Sequence, residues 1–391
     1  MARRFNFLIV ENKLNFLNFK KMNLRIVLTG GGTGGHIFPL LAVAKKIQDK
    51  KPEVEFLFLG PAGKMEKDLM AAKGIPLKGI ICGKMRRYFS FRNFIDFFKV
   101  PAGIVQSLWR LLVYMPDAIF SKGGYASLPV VLAGWIYRIP IVIHESDSVP
   151  GVTNNFLGKF SNSVAVSYPQ AEEYFPPSQV VLTGNPLRED INQGSVQKAR
   201  EKFSLTESKK VILVLGGSQG ARIINEKILE ILPELLKKYQ VIHQTGKLHI
   251  EDVKKRAGEL GIKIDYDDYH PIGDYANEDL KDILKAADLV ISRSGANSLS
   301  EVAANEKPAI FIPLLGSANN HQKMNAYSLA KVGACVVLEE NNLGKNILLK
   351  NIYELMDDQE LRDKLSRAVR VFYHPDAAEK IAEEILKIIK N

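Results

Sequence analysis

The chain has 391 residues, 46% hydrophobic and 25% charged, which excludes a disordered polypeptide and suits two globular domains of about 150 to 200 residues each. Its net charge of +10 includes +4 from the first 21 residues, and the remaining +6 is weak grounds for nucleic acid while fitting an anionic substrate or a membrane face. Two distant cysteines, Cys82 and Cys335, exclude a disulfide framework or a cysteine metal site, and no apolar run reaches the roughly 18 residues that cross a bilayer.

Residues 1 to 21 start with a basic pair, but Glu11, Asn12 and Lys13 interrupt the apolar stretch, so they read as an extension ahead of Met22 rather than a cleaved signal. Leu24 to Thr29 reads as a buried strand that ends in Gly30-Gly31-Gly32-Thr33-Gly34-Gly35-His36. Phe38 to Lys50 follows as a helix, Val54 to Leu59 as a strand, and Lys64 to Lys73 as a second helix. Strands at Ala118 to Ser121, Ile139 to His144 and Ser163 to Val166 continue an alternation that predicts a parallel sheet. The pattern pauses after Thr183-Gly184-Asn185-Pro186-Leu187-Arg188 and restarts at Val211 to Leu215, which runs into Gly216-Gly217-Ser218-Gln219-Gly220-Ala221-Arg222. Further strands are expected at Gln240 to Gln244, Lys263 to Asp265, Leu289 to Ser292 and Ala309 to Pro313. Asp376 is placed to cap a last helix whose Ile381, Ile385 and Ile388 share one face, with Glu383 and Lys387 paired four apart. The fold class is therefore α/β, with doubly wound domains over 22–187 and 188–372, an extension over 1–21 and a terminal helix within 373–391.

Each glycine turn delivers a strand to a helix N-terminus, where unpaired N–H groups and the helix dipole favour a phosphate. Two such turns predict two anionic ligands meeting in a cleft. Gly30, Gly32 and Gly35 fit G-x-G-x-x-G, but a dinucleotide site needs an acid at the end of the second strand, and Leu59-Gly60-Pro61 supplies none. His36, in the first turn of its helix, is disfavoured as a cation and so can take a proton from a hydroxyl; the alternative is a histidine that only closes the loop. Ser292 to Glu301 repeats the pattern, offering small residues and bare N–H groups to a diphosphate, with the Glu301 carboxylate able to accept from two ribose hydroxyls. A capped helix bearing a solvated acid is the alternative there. Asp265-Tyr266-Asp267 spells the D-x-D of metal-dependent sugar transferases of another fold, but it lies outside the glycine turns, and no metal is expected.

Taken in order, Gly31-Gly32-Thr33-Gly34-Gly35-His36, Gly123-Gly124-Tyr125, His144-Glu145, Gly184 to Arg188, Gly216 to Arg222, Ser292 to Ala296, and Gln322 with Asn325-Ala326 resemble glycosyltransferase family 28, specifically its bacterial GlcNAc transferases of peptidoglycan synthesis. The resemblance implies the GT-B fold: two Rossmann-like domains facing a cleft, with the C-terminal helix returning to the N-terminal domain. It implies inverting, metal-independent transfer of GlcNAc from UDP-GlcNAc to the 4-hydroxyl of MurNAc in undecaprenyl-diphospho-MurNAc-pentapeptide, with no cofactor. On the donor it would place Arg188, Ser218, Ile272, Ser294, Gly295, Ala296, Asn297, Ser298, Glu301, Gln322 and Asn325. On the acceptor and its diphosphate it would place Gly32, Thr33, Gly34, Tyr125, Glu145, Asp147 and Asn154, with His36 as the base and Glu145 or Asp147 as rivals for that role. The chain departs from the family pattern in carrying Ser146-Asp147 where many relatives have Gln-Asn, and His321 where some have a first glutamine of a pair. Gly273 to Asp282 is also longer than usual. Other reactions on the same scaffold are UDP-GlcNAc 2-epimerisation and glycolipid synthesis, and a nucleotide-sugar sensor without catalysis is the reading from another class.

Lys84 to Lys99, with Trp109 beyond, mixes aromatic anchors and cations, so 84–109 reads as a contact with an anionic membrane surface, a core helix being the alternative. Together with a lipid-linked acceptor this implies a peripheral protein on the cytoplasmic face of the membrane, with cell-wall synthesis or divisome proteins as partners and no nucleic acid.

Overall fold

The computed structural model describes residues 23–32, 34–83, 91–217, 220–273 and 279–390, and treats 91–98 and 318 through the backbone alone. The expectations for 1–21, Thr33, 84–90 and Ser218 lie outside those residues. Among the described residues the strands form two sheets. The first contains β1 (Arg25–Thr29), β2 (Glu55–Gly60), β3 (Leu77–Gly79), β4 (Ala118–Ser121), β5 (Ile141–Glu145), β6 (Ser163–Val166) and β7 (Val180–Leu182), in the order β3-β2-β1-β4-β5-β6-β7. The second contains β8 (Lys210–Leu215), β9 (Tyr239–Gln244), β10 (Tyr269–Ile272), β11 (Leu289–Ser292), β12 (Ala309–Phe311) and β13 (Val336–Val337), in the order β10-β9-β8-β11-β12-β13. These pairs are all parallel. Both orders reverse beside the opening strand, between β1 and β4 and between β8 and β11, which leaves a crevice at the carboxyl ends of those strands.

The helices α1 (Gly34–Lys50), α2 (Lys64–Ala72), α3 (Phe91–Tyr114), α4 (Leu128–Ile136) and α5 (Val152–Leu157) belong with the first sheet. The second carries α6 (Val196–Phe203), α7 (Arg222–Leu235), α8 (Ile250–Glu259), α9 (Asp279–Ala286), α10 (Ala296–Ala304), α11 (His321–Ala330), α12 (Lys345–Asp357) and α13 (Gln359–Val369). The Ile26-Val27-Leu28 centre of β1 is apolar because both of its faces are covered. Ile26 and Leu28 pack with Ile37, Leu40, Val43 and Ile47 of α1, whereas Val27 packs on the opposite face with Leu111, Val130 and Leu157. The last helix, α14 (Ala377–Ile388), leaves the second sheet and places Ile381 and Ile385 in the same cluster as Ile26 and Ile37. This is the expected return to the first domain.

Local chemistry overrides three details of the sequence reading. The strand expected at Lys263 to Asp265 is a turn, because the Asp267 carboxylate accepts the Lys263 N–H at 2.7 Å and both Asp265 and Asp268 are left-handed. The strand comes later, at β10, where Pro271 is tolerated because β10 lies at the sheet edge. Asp376 precedes α14 without capping it, its carboxylate pairing with Lys380 at 2.9 Å instead. Glu383 reaches Lys50 at 2.8 Å, leaving Lys387 to Glu384 at 3.1 Å.

Since Ile385 is fully buried between α14 and the first sheet, Ile385→Ala should lower stability by about 2–5 kcal/mol. The denaturant midpoint of the purified variant reads that loss.

Candidate functional site

α1 starts four residues ahead of the expected Phe38 because Gly34 and Gly35 already take helical geometry. Pro39 lies inside this helix and has no N–H, so the Gly35 carbonyl one turn back loses its helical donor. Asn297, from the first turn of α10 in the other domain, donates its Nδ2 to that carbonyl at 3.3 Å. The glycine turn after β1 and the turn after β11 therefore touch directly.

Around the first turn, Gly32 donates its N–H to Glu66 Oε1 at 3.0 Å, and the Tyr125 ring lies against it, 3.4 Å from where a Cβ would be. Gly34 is buried. Gly123, with φ of +81°, admits no side chain, since a Cβ there would fall 2.0 Å from Asn154 Oδ1. The Glu145 carboxylate is buried and accepts from the Asp147 N–H at 2.9 Å, the Gly151 N–H at 3.1 Å and Asn154 Nδ2 at 3.0 Å. Burial and the neighbouring Asp147 charge push its pKa up. With a donor on each oxygen, Glu145 holds the 145–154 loop in shape, and Asn154 takes part in that scaffold. His36 is lowered to about 4, first by burial and then by the Lys122 ammonium, with Asp147 opposing. It is neutral at physiological pH, through burial and the neighbouring ammonium.

The two domains are sewn together at Asn325, which is fully buried. Its Oδ1 accepts from the Ser148 N–H and the Ser148 hydroxyl, both at 2.8 Å, and its Nδ2 donates to Asp147 Oδ1 at 2.8 Å and to the Ser294 carbonyl at 3.3 Å. A carboxamide with four bonds has none left for a sugar hydroxyl, so the donor contact expected of Asn325 is replaced by a domain seam. Asp147 likewise faces the other domain, its Oδ2 lying 3.7 Å from His321 Nδ1. Asn319 Nδ2 adds a bond to the Pro150 carbonyl at 3.1 Å.

On the donor side, Gly295 precedes α10 in extended geometry and no side chain caps the helix, which leaves the N–H groups of Ala296, Asn297 and Ser298 open. The Ser294 hydroxyl is taken by the Gln322 carbonyl at 2.8 Å, and Gln322 Oε1 accepts the Leu314 N–H at 3.0 Å. Glu301 is half-buried two turns into α10, and its carboxyl is pushed up to about 7 by burial, with Arg188 pulling it down. Arg188 stacks over the Phe38 ring at 4.9 Å, at the junction of the domains. The Ile272 carbonyl accepts the Thr245 N–H at 2.9 Å and the Thr245 hydroxyl at 3.2 Å, so its backbone is already engaged through that oxygen. Asp265 pairs with His270 at 3.1 Å and Asp267 with its own turn, so the D-x-D triplet serves local structure.

Sequence reasoning passed over Glu66, Ser148 and Lys122. The first two carry no motif signal, because their partners Gly32 and Asn325 come from distant segments. Lys122 did carry one: it directly follows a strand and precedes Gly123-Gly124.

Comparison with known proteins agrees with this fold. The chain matches the glycosyltransferase family 28 N-terminal domain over residues 26–166 and the glycosyltransferase family 28 C-terminal domain over 211–381. A protein of Clostridium perfringens (strain SM101 / Type A), named as the UDP-N-acetylglucosamine N-acetylmuramyl-(pentapeptide) pyrophosphoryl-undecaprenol N-acetylglucosamine transferase, is 39% identical over 86% of this chain and 91% of its own. The protein of the same name from Bacillus pumilus is 37% identical over 93% and 99%. Among solved structures, Acinetobacter baumannii MurG is 26% identical with a TM-score of 0.71, over 93% of this chain and 99% of its own. S. aureus MnaA with UDP, at 17% identity and the same TM-score of 0.71 over 94% and 98%, shares the fold.

Asn325→Ala deletes the seam and strands Asp147 Oδ1 and Ser148, each buried orphan costing about 1–3 kcal/mol. The variant should melt earlier and show a larger radius of gyration by X-ray scattering. A scattering curve and melting curve that overlay those of the unaltered protein would show the seam to be idle.

Proposed function

The chain belongs to glycosyltransferase family 28, and we propose that it carries out the reaction for which its relatives are named, transferring GlcNAc from UDP-GlcNAc to undecaprenyl-diphospho-MurNAc-pentapeptide in peptidoglycan synthesis. The observation that supports this reading best is the Asn297–Gly35 bond at 3.3 Å. It brings the turn suited to a nucleotide diphosphate within hydrogen-bond reach of the turn suited to a second phosphorylated ligand. In this reading residues 22–187 hold the acceptor, 188–372 hold the donor, and 373–391 tie the second unit back to the first.

On the donor, the open N–H groups of Ala296, Asn297 and Ser298 receive the diphosphate, joined by Ser218 and Arg188. Glu301 accepts from the ribose hydroxyls, Ile272 meets the uracil, and Gln322 reads the sugar. The acceptor lies along Gly32, Thr33, Gly34 and Tyr125. The oxygen of its 4-hydroxyl attacks the anomeric carbon from the face opposite UDP, forming the new C–O bond as the bond to the diphosphate breaks and its electron pair leaves with UDP. The configuration inverts to a β-1,4 link. The hydroxyl proton passes to His36, whose imidazole is neutral and therefore able to take it. Charge grows on the leaving diphosphate, and fixed N–H donors aimed at that charge do for it what a cation does elsewhere, one such donor contributing about 100-fold or more. The reaction is on this account independent of metal.

Among the described residues no helix is long and apolar enough to cross a membrane. The first domain nonetheless exposes Val105, Trp109, Leu112 and Val113 of α3, Trp135 and Ile136 of α4, and Phe156 of α5. Next to Trp135 a cavity of about 270 Å³ is lined by Arg138, Lys159 and Phe160, with no carboxylate in its wall. Aromatics flanked by unopposed cations suit an anionic headgroup layer, which supports peripheral attachment at the cytoplasmic leaflet through 84–109 and the neighbouring helices.

Three measurements check this. UDP release and disaccharide-lipid formation should require both the donor and a short-chain diphosphate-linked acceptor, and should survive EDTA; a protein that binds UDP-GlcNAc but releases no UDP on adding acceptor would be a sensor instead. The Glu301 carboxyl, raised to about 7, gains the charge it needs to accept from ribose as the pH rises through that value. Donor affinity should strengthen about tenfold from pH 6 to pH 8, and Glu301→Gln should flatten the rise; His36, already neutral above about 4, does not titrate in that window. Finally, reversing Arg86, Arg87 and Arg92 to glutamate should weaken sedimentation with anionic vesicles by about 100-fold or more.

A further inference from the structure

Lys122 follows β4 and lies at the point where the strand order of the first sheet reverses. Only 3% of it is exposed, and among the described residues its ammonium makes no hydrogen bond or ion pair. A largely buried cation with no hydrogen-bond partner is costly, and Glu145 and Asp147 act on it only from beyond ion-pair distance. Its backbone is fixed against the glycine turn, the Lys122 N–H donating to the Thr29 carbonyl at 2.9 Å, while a Cβ on Gly30 would come within 3.3 Å of its own Cβ. The side chain thus emerges beside Gly30, the first residue of the turn that leads into the 17-residue helix α1.

The charged and titratable groups around the ammonium are His36, His144, Glu145 and Asp147. Both imidazoles are held neutral, with pKa values driven down by burial and by Lys122 itself. Glu145 already accepts three hydrogen bonds, and Asp147 is bonded to Asn325. Glu66, the carboxylate on the glycine turn, is taken by the Gly32 N–H. Burial lowers the Lys122 pKa to about 8, with Glu145 and Asp147 opposing the fall, so the side chain stays mainly protonated at neutral pH. Of the charged groups at this end of the sheet, the ammonium is the one left for a ligand.

We propose that Lys122 is a specificity-determining residue that binds the diphosphate of the acceptor together with the N-terminus of α1, so that the enzyme selects a sugar carried on a diphosphate over the same sugar carried on a monophosphate or a neutral link. A charge-assisted bond from a poorly solvated ammonium is among the stronger single contacts a protein makes to phosphate. The position also lies on the acceptor side of the Asn297–Gly35 bond, away from the donor turn. The inference rests on the transferase reading above, and its test can fail separately from that reading.

The experiment compares the unaltered protein with Lys122→Met and Lys122→Arg. Binding of inorganic pyrophosphate is followed by calorimetry with the donor site filled by UDP, and turnover is followed with diphosphate-linked and monophosphate-linked short-chain acceptors. Lys122→Met should lose pyrophosphate binding, raise the acceptor KM about 10- to 100-fold, keep the donor KM within about threefold, and erase the preference for the diphosphate-linked acceptor. Lys122→Arg keeps the charge and should keep part of that preference even if Lys122→Met does not fold. Unchanged pyrophosphate binding in Lys122→Met, or an equal rise in donor and acceptor KM, overturns the proposal and leaves the ammonium as a counter-charge to Glu145 and Asp147. So does a preference for diphosphate lost as fully in Lys122→Arg as in Lys122→Met. If the unaltered protein transfers no sugar, the transferase reading fails while the calorimetric comparison still decides whether Lys122 holds a diphosphate.

Discussion

Strand order reverses once in each sheet, and the whole site depends on that constraint. A parallel strand can receive its neighbours only through crossovers, so the helices after β1 and β4 leave on opposite sides of the first sheet, as do those after β8 and β11 in the second. The gap between them collects the backbone groups that no ladder satisfies. Glycines at 30–32, 123–124 and 216–217 sit in those gaps because a side chain there would fill the space or strain the turn. Both crevices face the same cleft, since Asn297 of one reaches Gly35 of the other.

That closure is built from omissions as well as contacts. Pro39 removes one N–H from α1, and the carbonyl it leaves is the one that Asn297 meets. Asp147 and His321, the two positions at which the sequence reading expected a departure from the family pattern, lie 3.7 Å apart across the seam. A carboxylate opposite an imidazole keeps the seam polar and complementary in a way that either departure alone would not.

The buried carboxylates here serve mainly as frameworks. Glu145 collects three donors and Glu66 fixes Gly32, while the half-buried Asp147 reaches Asn325. Removing either partner from such a bond leaves a desolvated charge or donor, which explains how residues in the middle of a site can be indispensable without touching substrate. Glu301 differs, because it is half-buried and keeps a raised pKa with only Arg188 to offset it. A group in that condition is suited to meeting a ligand.

The periodicity of the sequence determined the α/β alternation, the two glycine turns, the pairing of each with a following helix and, through the apolar face of Ile381 and Ile385, the docking of the last helix. These are local or short-period features, and β4, β6 and β11 fall where the alternation places them. It misplaced β10, where aspartates that bond nearby backbone outcompeted a strand, and passed over β3, β7 and β13, whose two or three residues carry too little pattern. Tertiary structure alone decided which polar groups remain available. Asn325 looks like a ligand contact in sequence, yet it is saturated by partners that folding brings from other segments, and Lys122 looks like one more surface cation until the fold buries it with no hydrogen bond or ion pair among the described residues. Hydrogen-bond capacity is limited at every atom, and what has consumed it is visible only once distant parts of the chain have met.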